Sequence, residues 1–347
     1  MPAADNLRVL HVASTFAVGI FAAVRQYIEN TPDVEHHLLV EHQDLESFPS
    51  VASVEFFSEH RWRHPADVRR AVHTTAPDVV HVHSSWAGLF ARVAFLRPPV
   101  IYQPHALASQ GYGSSRLMRS LYMTAERALS LRTDAFVALS DNEFSVLRQI
   151  NGRTPIHQLL NVATIDGPDK DTWNPPSSPC FVMMGRIVLQ KDPELFAEFA
   201  RLVKKARPDA TCVWIGDGDP EARRLLESVG VRVTGWLGRR DVAIELSKAT
   251  VYLHTAKYEG FPLSVLDAAH VGVPILVRNV PSMATIPVGK FDSARNAVAQ
   301  CLALADDVGE LFALRKASVA LDMVHAPALQ TEQLMRIYAS AATPQDQ

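Results

Sequence analysis

Short apolar runs alternate with longer stretches of helical period along most of the chain. Residues 8–13, 37–41, 54–57, 79–83, 100–103 and 135–139 are continuous or nearly continuous in apolar character, the pattern of strands buried on both faces. Val18-Gly19 turns the first of these into a helix over 21–29. A second series follows, with strands at 180–184, 211–215, 231–234, 251–254 and 274–277. Its helices fall at 193–206, 221–229, 241–248 and 262–271, and three more are expected at 293–305, 308–322 and 330–340. Strand and helix in alternation predict an α/β fold of two Rossmann-like domains, each a parallel sheet wrapped by helices. Between the two series, residues 166–179 hold four prolines and a glycine, which breaks periodicity and reads as a linker. The expected division is therefore a first domain at 1–165, a linker at 166–179 and a second domain at 180–325. Residues 326–347 are read as a C-terminal helix, free to pack back on the first domain, with a polar tail that frays.

A chain of 347 residues with 48% hydrophobic and 20% charged content has material for two buried cores. Its three cysteines, Cys180, Cys212 and Cys301, are far apart and lack metal-ligand spacing, which favours a reducing, cytoplasmic setting. No basic start leads into a long apolar run, and no apolar stretch is long enough to span a bilayer. A net charge of −3 gives no reason to expect nucleic acid as a partner. Locally the balance differs: between residues 61 and 132 there are ten arginines against three acids. That segment reads either as an ordinary solvated surface or as a face for anionic lipid or acceptor, at the inner side of a membrane. Residues 113–131, with Arg116, Arg119 and Arg127 among Leu, Met and Tyr, fit a basic amphipathic helix or a core-packed helix with a polar face.

The segment with most chemistry is Glu259-Gly260-Phe261-Pro262-Leu263-Ser264-Val265-Leu266-Asp267. Gly260 permits close backbone approach, and Pro262 suits the first position of a helix, where a missing N–H costs nothing. The amides of Leu263 to Val265 would then face an anion in front of the helix. Gly185-Arg186 closes the first strand of the second domain, and Lys191 precedes the helix that Asp192-Pro193 starts. Two fixed cations there suit a diphosphate that gains charge as it leaves, with no metal needed. No Asp-x-Asp pair stands near a strand end to hold a divalent ion. His105 ends a strand after Pro104, while His81 and His83 alternate on one strand face without an apparent third ligand.

In order and spacing, Gly185-Arg186, Lys191, Gly216-Asp217-Gly218, Val233-Thr234-Gly235-Trp236 and Glu259-Gly-Phe-Pro through Asp267 to Pro274 resemble family 4 retaining glycosyltransferases of the GT-B fold. Residues 76–83, 100–105 and 126–140 look like the same family's acceptor-side domain, so the resemblance covers nearly the whole chain. It implies a metal-independent transfer of a sugar from a UDP-sugar or GDP-sugar to a lipid-linked or small hydroxylated acceptor, in cell-surface polysaccharide or glycolipid synthesis. By the same resemblance Arg186 and Lys191 hold the donor diphosphate and Glu259 lies by the transferred sugar. Asp267, where the family usually has Glu, holds the ribose. Gly19, Gly185, Gly216, Gly260, Phe261, Pro262, Leu263 and Ser264 contribute to donor binding, Trp236 lines the base pocket and His105 lies near the reacting sugar. The alternatives are a protein of this fold that binds without transferring, and an NDP-sugar epimerase.

Overall fold

The computed structural model of the protein describes residues 7–14, 18–41, 51–107, 115–167, 170 and 173–343. Residues 1–161 with 327–347 form one compact unit, and 162–326 form another.

The first unit is built on seven parallel strands in the order β3-β2-β1-β4-β5-β6-β7. They are β1 (Arg8–Ala13), β2 (Glu35–Val40), β3 (Ser53–Phe56), β4 (Val79–His83), β5 (Val100–Gln103), β6 (Ala135–Ala138) and β7 (Ile156–Gln158). Helices α1 (Val18–Asn30), α2 (His64–Thr75), α3 (Ser85–Val93), α4 (Arg116–Ser130), α5 (Asp141–Ile150) and α12 (Pro327–Ala342) accompany them. Side chains alternate across a strand, and here the two faces differ in chemistry. Leu10, Val12, Leu39, Val80 and Val82 point to an apolar layer completed by Val68, Ala71, Ala87, Phe90 and Ala91 of α2 and α3. The other face carries His11, His36, His81, His83 and Gln103, all buried. Tyr27 of α1 and Tyr338 of α12 reach them: Tyr338 OH lies 3.1 Å from His81 Nδ1, and Gln103 Nε2 donates to Tyr27 OH at 2.9 Å. Helix α12 is tied further to this unit by Gln330 Nε2 donating to Leu160 O (2.7 Å) and Thr331 Oγ1 to Asn30 O (2.7 Å).

The second unit has six parallel strands, β10-β9-β8-β11-β12-β13. These are β8 (Cys180–Met184), β9 (Thr211–Ile215), β10 (Arg232–Val233), β11 (Val251–His254), β12 (Ile275–Arg278) and β13 (Gly289–Phe291). Around them lie α6 (Pro193–Ala206), α7 (Pro220–Ser228), α8 (Arg239–Ser247), α9 (Leu263–His270), α10 (Ala294–Asp306) and α11 (Val308–Val324). One continuous apolar core fills the unit, with Phe181, Phe196, Phe199 and Trp214 fully buried.

Three expectations change. The proline-rich stretch is not a free linker: Ile165 and Trp173 belong to the second core, and Trp173 Nε1 donates to Ala249 O at 3.1 Å. The prolines stop helix and strand but do not prevent burial of a large aromatic ring. Strands β7 and β13 lie at sheet edges and are three residues long, too short to leave a periodic signal. Helix α4 combines both readings: Leu117, Met118, Leu121 and Tyr122 are exposed beside Arg116 and Arg119, whereas Glu126 and Ser130 are buried and Met123 packs against the core around Tyr102 and Phe136. Among the described helices, none is long and apolar enough to cross a membrane.

Candidate active site

In the second sheet the chain leaves β8 toward β9 and leaves β11 toward β12, so the connections diverge at this pair of neighbours. The crevice at the carboxyl ends of such strands is where open α/β sheets bind ligands. Gly185 (φ 147°) ends β8 and Gly216 (φ 130°) ends β9. A Cβ on Gly216 would stand 2.3 Å from Gly185 O, which is already held by Trp214 Nε1 at 2.8 Å, so only glycine fits. Arg186 follows, exposed and without a partner among the described residues. A 3₁₀ turn at Leu189–Lys191 brings Lys191 back over the strand ends. Asp192, φ 55°, then caps α6 and is held by Arg278 Nη1 (2.7 Å) and Lys257 Nζ (3.2 Å).

Lys191 Nζ meets Glu259 Oε1 at 2.5 Å. His254 Nε2, from the last residue of β11, is 3.4 Å from the same oxygen, and Gln190 Nε2 donates to Glu259 Oε2 at 3.3 Å. Burial by itself would raise the Glu259 pKa, but the Lys191 charge and the His254 contact outweigh it and hold the carboxyl at about 2. Glu259 is thus a fixed anion. His254 is itself held neutral by burial, with Nδ1 3.0 Å from Tyr252 OH. Neither His254 nor Gln190 was singled out in the sequence. A histidine closing an apolar strand was a usable signal for the first; nothing marked the second.

Pro262 is the N-cap of α9, in extended conformation, and not its first helical residue. The ring fixes φ but leaves ψ free, and ψ of 118° keeps Pro262 outside the helix. Val265 N–H is consequently taken by Pro262 O at 3.1 Å, which leaves the amides of Leu263 and Ser264 facing forward. The Ser264 hydroxyl is buried without a well-formed partner. Gly260 is buried, and the Phe261 ring lies 4.9 Å from that of His325. Asp267 is buried on α9, and both its oxygens are engaged by Thr164: Oδ1 accepts from the Thr164 amide at 2.6 Å, and each oxygen is 3.1 Å from Oγ1. Burial lifts its pKa to about 6. The Asp267 carboxylate therefore ties down the chain entering the second unit. Trp236, after Gly235 (φ 73°), is 56% exposed.

In the first unit the corresponding switch point lies between β1 and β4. His105 stands two residues beyond β5 with φ 56°, followed by Ala106 at φ 105°, both in the left-handed region that non-glycine residues avoid. The buried Glu143 holds that loop, with Oε1 accepting from Ala106 N–H (3.1 Å) and Oε2 from Leu139 N–H (2.8 Å). Burial pushes its pKa up to about 7. His105 Nε2 lies 3.0 Å from His83 Nδ1. A third histidine, His11 of β1, joins His81 and His83, with one ring nitrogen of each within 4.8 Å of the others. The pairing of β1 with β4 creates this trio, so it had no signal in local spacing. In the described structure His11 Nδ1 is taken by His83 Nε2 (3.0 Å) and His81 Nδ1 by Tyr338, while His81 Nε2 is buried without a hydrogen-bond partner among the described residues. Gly19 sits in the first turn of α1, exposed, with nothing among the described residues within 4 Å of a hypothetical Cβ.

Residues 7–161 match the glycosyl transferase 4-like domain family, and residues 169–292 match the glycosyl transferases group 1 family. An uncharacterized 41.2 kDa protein in the cps region of Klebsiella pneumoniae is 22% identical over 80% of this chain and 82% of its own. The UDP-Gal:α-D-GlcNAc-diphosphoundecaprenol α-1,3-galactosyltransferase of Escherichia coli is 24% identical over 62% of this chain and 61% of its own. Among solved structures, Anabaena HepE in complex with UDP and glucose superposes with a TM-score of 0.77 at 13% identity, covering 96% of this chain and 100% of that one. Each of the two α/β units is thus matched by a glycosyltransferase family model, and the chain is a glycosyltransferase of the GT-B fold.

Proposed function

We propose that the protein is a retaining, metal-independent glycosyltransferase that moves a sugar from a nucleoside diphosphate, UDP or GDP, to a hydroxylated acceptor. The observation that carries this reading is the Lys191–Glu259 pair at the β8/β11 switch point, with Arg186, exposed and unpartnered among the described residues, just after the end of β8. Arg186 and Lys191 supply positive charge where a departing diphosphate would accumulate negative charge, and the free amides of Leu263 and Ser264 add a helix N-terminus. Lys191 has three donors and uses one on Glu259, which leaves it able to bridge carboxylate and phosphate. Glu259, ionised at every working pH, favours positive charge developing on the sugar and cannot serve as a proton donor. In this reading the acceptor hydroxyl attacks from the face the diphosphate leaves, and a phosphate oxygen takes its proton. Trp236 offers an exposed ring for the base.

The acceptor is read as lipid-linked or small, in cell-surface polysaccharide or glycolipid synthesis; the galactosyltransferase relative, whose name carries a diphosphoundecaprenol acceptor, supports the lipid-linked form. The exposed Leu117, Met118, Leu121 and Tyr122 beside Arg116 and Arg119 suit a peripheral contact with an anionic membrane on the cytoplasmic side. Co-sedimentation with vesicles with and without phosphatidylglycerol checks it, and equal binding to both would remove it.

Labelled UDP- and GDP-sugars, incubated with extracted lipid acceptors in the presence of EDTA, test the main reading. Expected are transfer that survives EDTA and a product with the donor's anomeric configuration. Glu259→Ala, Lys191→Ala and Arg186→Ala should each lower kcat/KM by roughly 10²–10³-fold. Inversion, or unchanged turnover in all three variants, would sink the assignment.

A further inference from the structure

The first unit holds a chain of buried imidazoles that ends at His105. Thr31 Oγ1 donates its single proton to Tyr27 O at 2.6 Å. His36 Nε2 lies 2.9 Å from that spent hydroxyl and 3.1 Å from the Thr31 carbonyl oxygen. Both neighbours can only accept, so the proton must reside on His36 Nε2. In a neutral ring Nδ1 is then an acceptor, and it faces His11 Nε2 at 3.1 Å. His11 therefore carries its proton on Nε2 and accepts at Nδ1 from His83 Nε2, 3.0 Å away. The same step makes His83 Nδ1 accept from His105 Nε2 at 3.0 Å. Each ring is kept neutral by burial, with His36 held at about 4 and His105 at about 3, and His11 and His83 well below the usual histidine value. One carbonyl thus fixes four tautomers in sequence.

We propose that His36, His11 and His83 act as positioning residues that lock His105 as the neutral Nε2–H tautomer, so that its Nδ1 lone pair accepts a hydrogen bond from a substrate hydroxyl. The inference rests on the glycosyltransfer reading for the identity of that hydroxyl, but not for the tautomer. Acceptance at Nδ1 excludes the opposite role for the ground-state ring, donation to a sugar oxygen or stabilisation of phosphate charge. It also favours a polyhydroxylated ligand, which brings donors, over an anion, which brings only acceptors. The strained backbone at His105 and Ala106, pinned by Glu143, holds the ring at the end of the chain.

The experiment reads the ring nitrogens directly. Long-range ¹H–¹⁵N correlation spectra of the full chain labelled on histidine, recorded without substrate at pH 7.5, should place the His105 proton on Nε2. His83→Leu should release it to a mixture of tautomers, while His83→Asn, whose amide oxygen can accept in place of Nδ1, should restore it. A wild-type His105 protonated on Nδ1, or a tautomer unmoved by His83→Leu, would overturn the relay whatever the enzyme's reaction. Should His83→Leu not fold, His36→Leu supplies the cut farther from His105, with the same expected mixture. Zn²⁺ that shifts the His11 and His83 nitrogens together would overturn it too, by making these rings ligands. The hydroxyl is then located by titration. A shift at His105 Nδ1 with UDP-glucose beyond that with UDP assigns a donor hydroxyl, and one with octyl glucoside assigns an acceptor hydroxyl. Binding of both with Nδ1 unmoved would overturn the substrate contact.

Discussion

The two α/β units share a sheet topology around their first strands but solve burial in opposite ways. In the second unit the core is one uninterrupted apolar cluster, and ionic groups such as Lys191, Glu259, Asp192 and Arg278 stand at the strand ends. In the first, the apolar residues separate into distinct clusters, because one face of the central strands is lined by histidines and closed by Tyr27, Tyr338, Gln103 and Gln330. Burying such a layer requires partners placed to within hydrogen-bond tolerance, and most of its nitrogens have them, although His81 Nε2 and Gln103 Oε1 have none among the described residues. The first unit therefore gains directional order at its core, and the second gains packing. That contrast teaches that one topology can carry an uninterrupted apolar core in one copy and a polarised network in the other.

Acid should expose the difference most. In an unfolded chain the histidines titrate near 6.5, whereas folded His36 titrates at about 4 and His81 and His105 at about 3. Between those values the unfolded state binds more protons, so the stability present above pH 6.5 is lost as pH falls, by up to about 1.4 kcal/mol per pH unit for each histidine. Glu143, raised to about 7 by burial, works the other way, gaining stability as pH falls, but it is one group against several. Hydrogen exchange resolved by peptide should find the first unit opening before the second between pH 6 and 4; the reverse order would break the comparison.

A packing deletion should single out the other unit. Phe199→Ala removes a fully buried ring set edge-on to Phe181 at 5.6 Å and is expected to cost about 3–5 kcal/mol in urea unfolding. Tyr338→Phe deletes one hydroxyl and leaves His81 Nδ1 without a partner, for a loss of about 1–3 kcal/mol confined to the first unit. A negligible change there would mean that the polar layer does not depend on the Tyr338–His81 pairing. The smallest effect is expected at Gly19→Ala, in open space on α1, which should raise stability by roughly 0.5–1 kcal/mol and leave donor affinity unchanged if no ligand approaches that turn.

Much of the second unit was legible because its signals are local. Gly185, Gly216, Lys191 and the Glu259-Gly-Phe-Pro turn are fixed by backbone geometry within a few residues, and strands β8, β9 and β11 have the bounds their apolar runs indicate. Pro262 was placed one position too far into the helix, since sequence marks φ at proline but not ψ. Trp173 was read as linker because composition records turn formers and not where a large ring goes. The occupation of Asp267 by Thr164 joins residues about a hundred positions apart, and no spacing rule reaches that far.

By itself, then, the sequence determined two parallel α/β units, the helix-start and glycine turns at the strand ends of the second, and the cationic side chains placed near them. These follow from period, propensity and chain stereochemistry, which act between near neighbours. Tertiary structure alone decided which charges pair, so that Glu259 is a fixed anion on Lys191 and Asp267 a structural tie. It also decided that His11, His36, His83 and His105 line up nitrogen to nitrogen. Electrostatics and hydrogen-bond direction depend on distances between separate strands, and only the register of the folded sheet sets those.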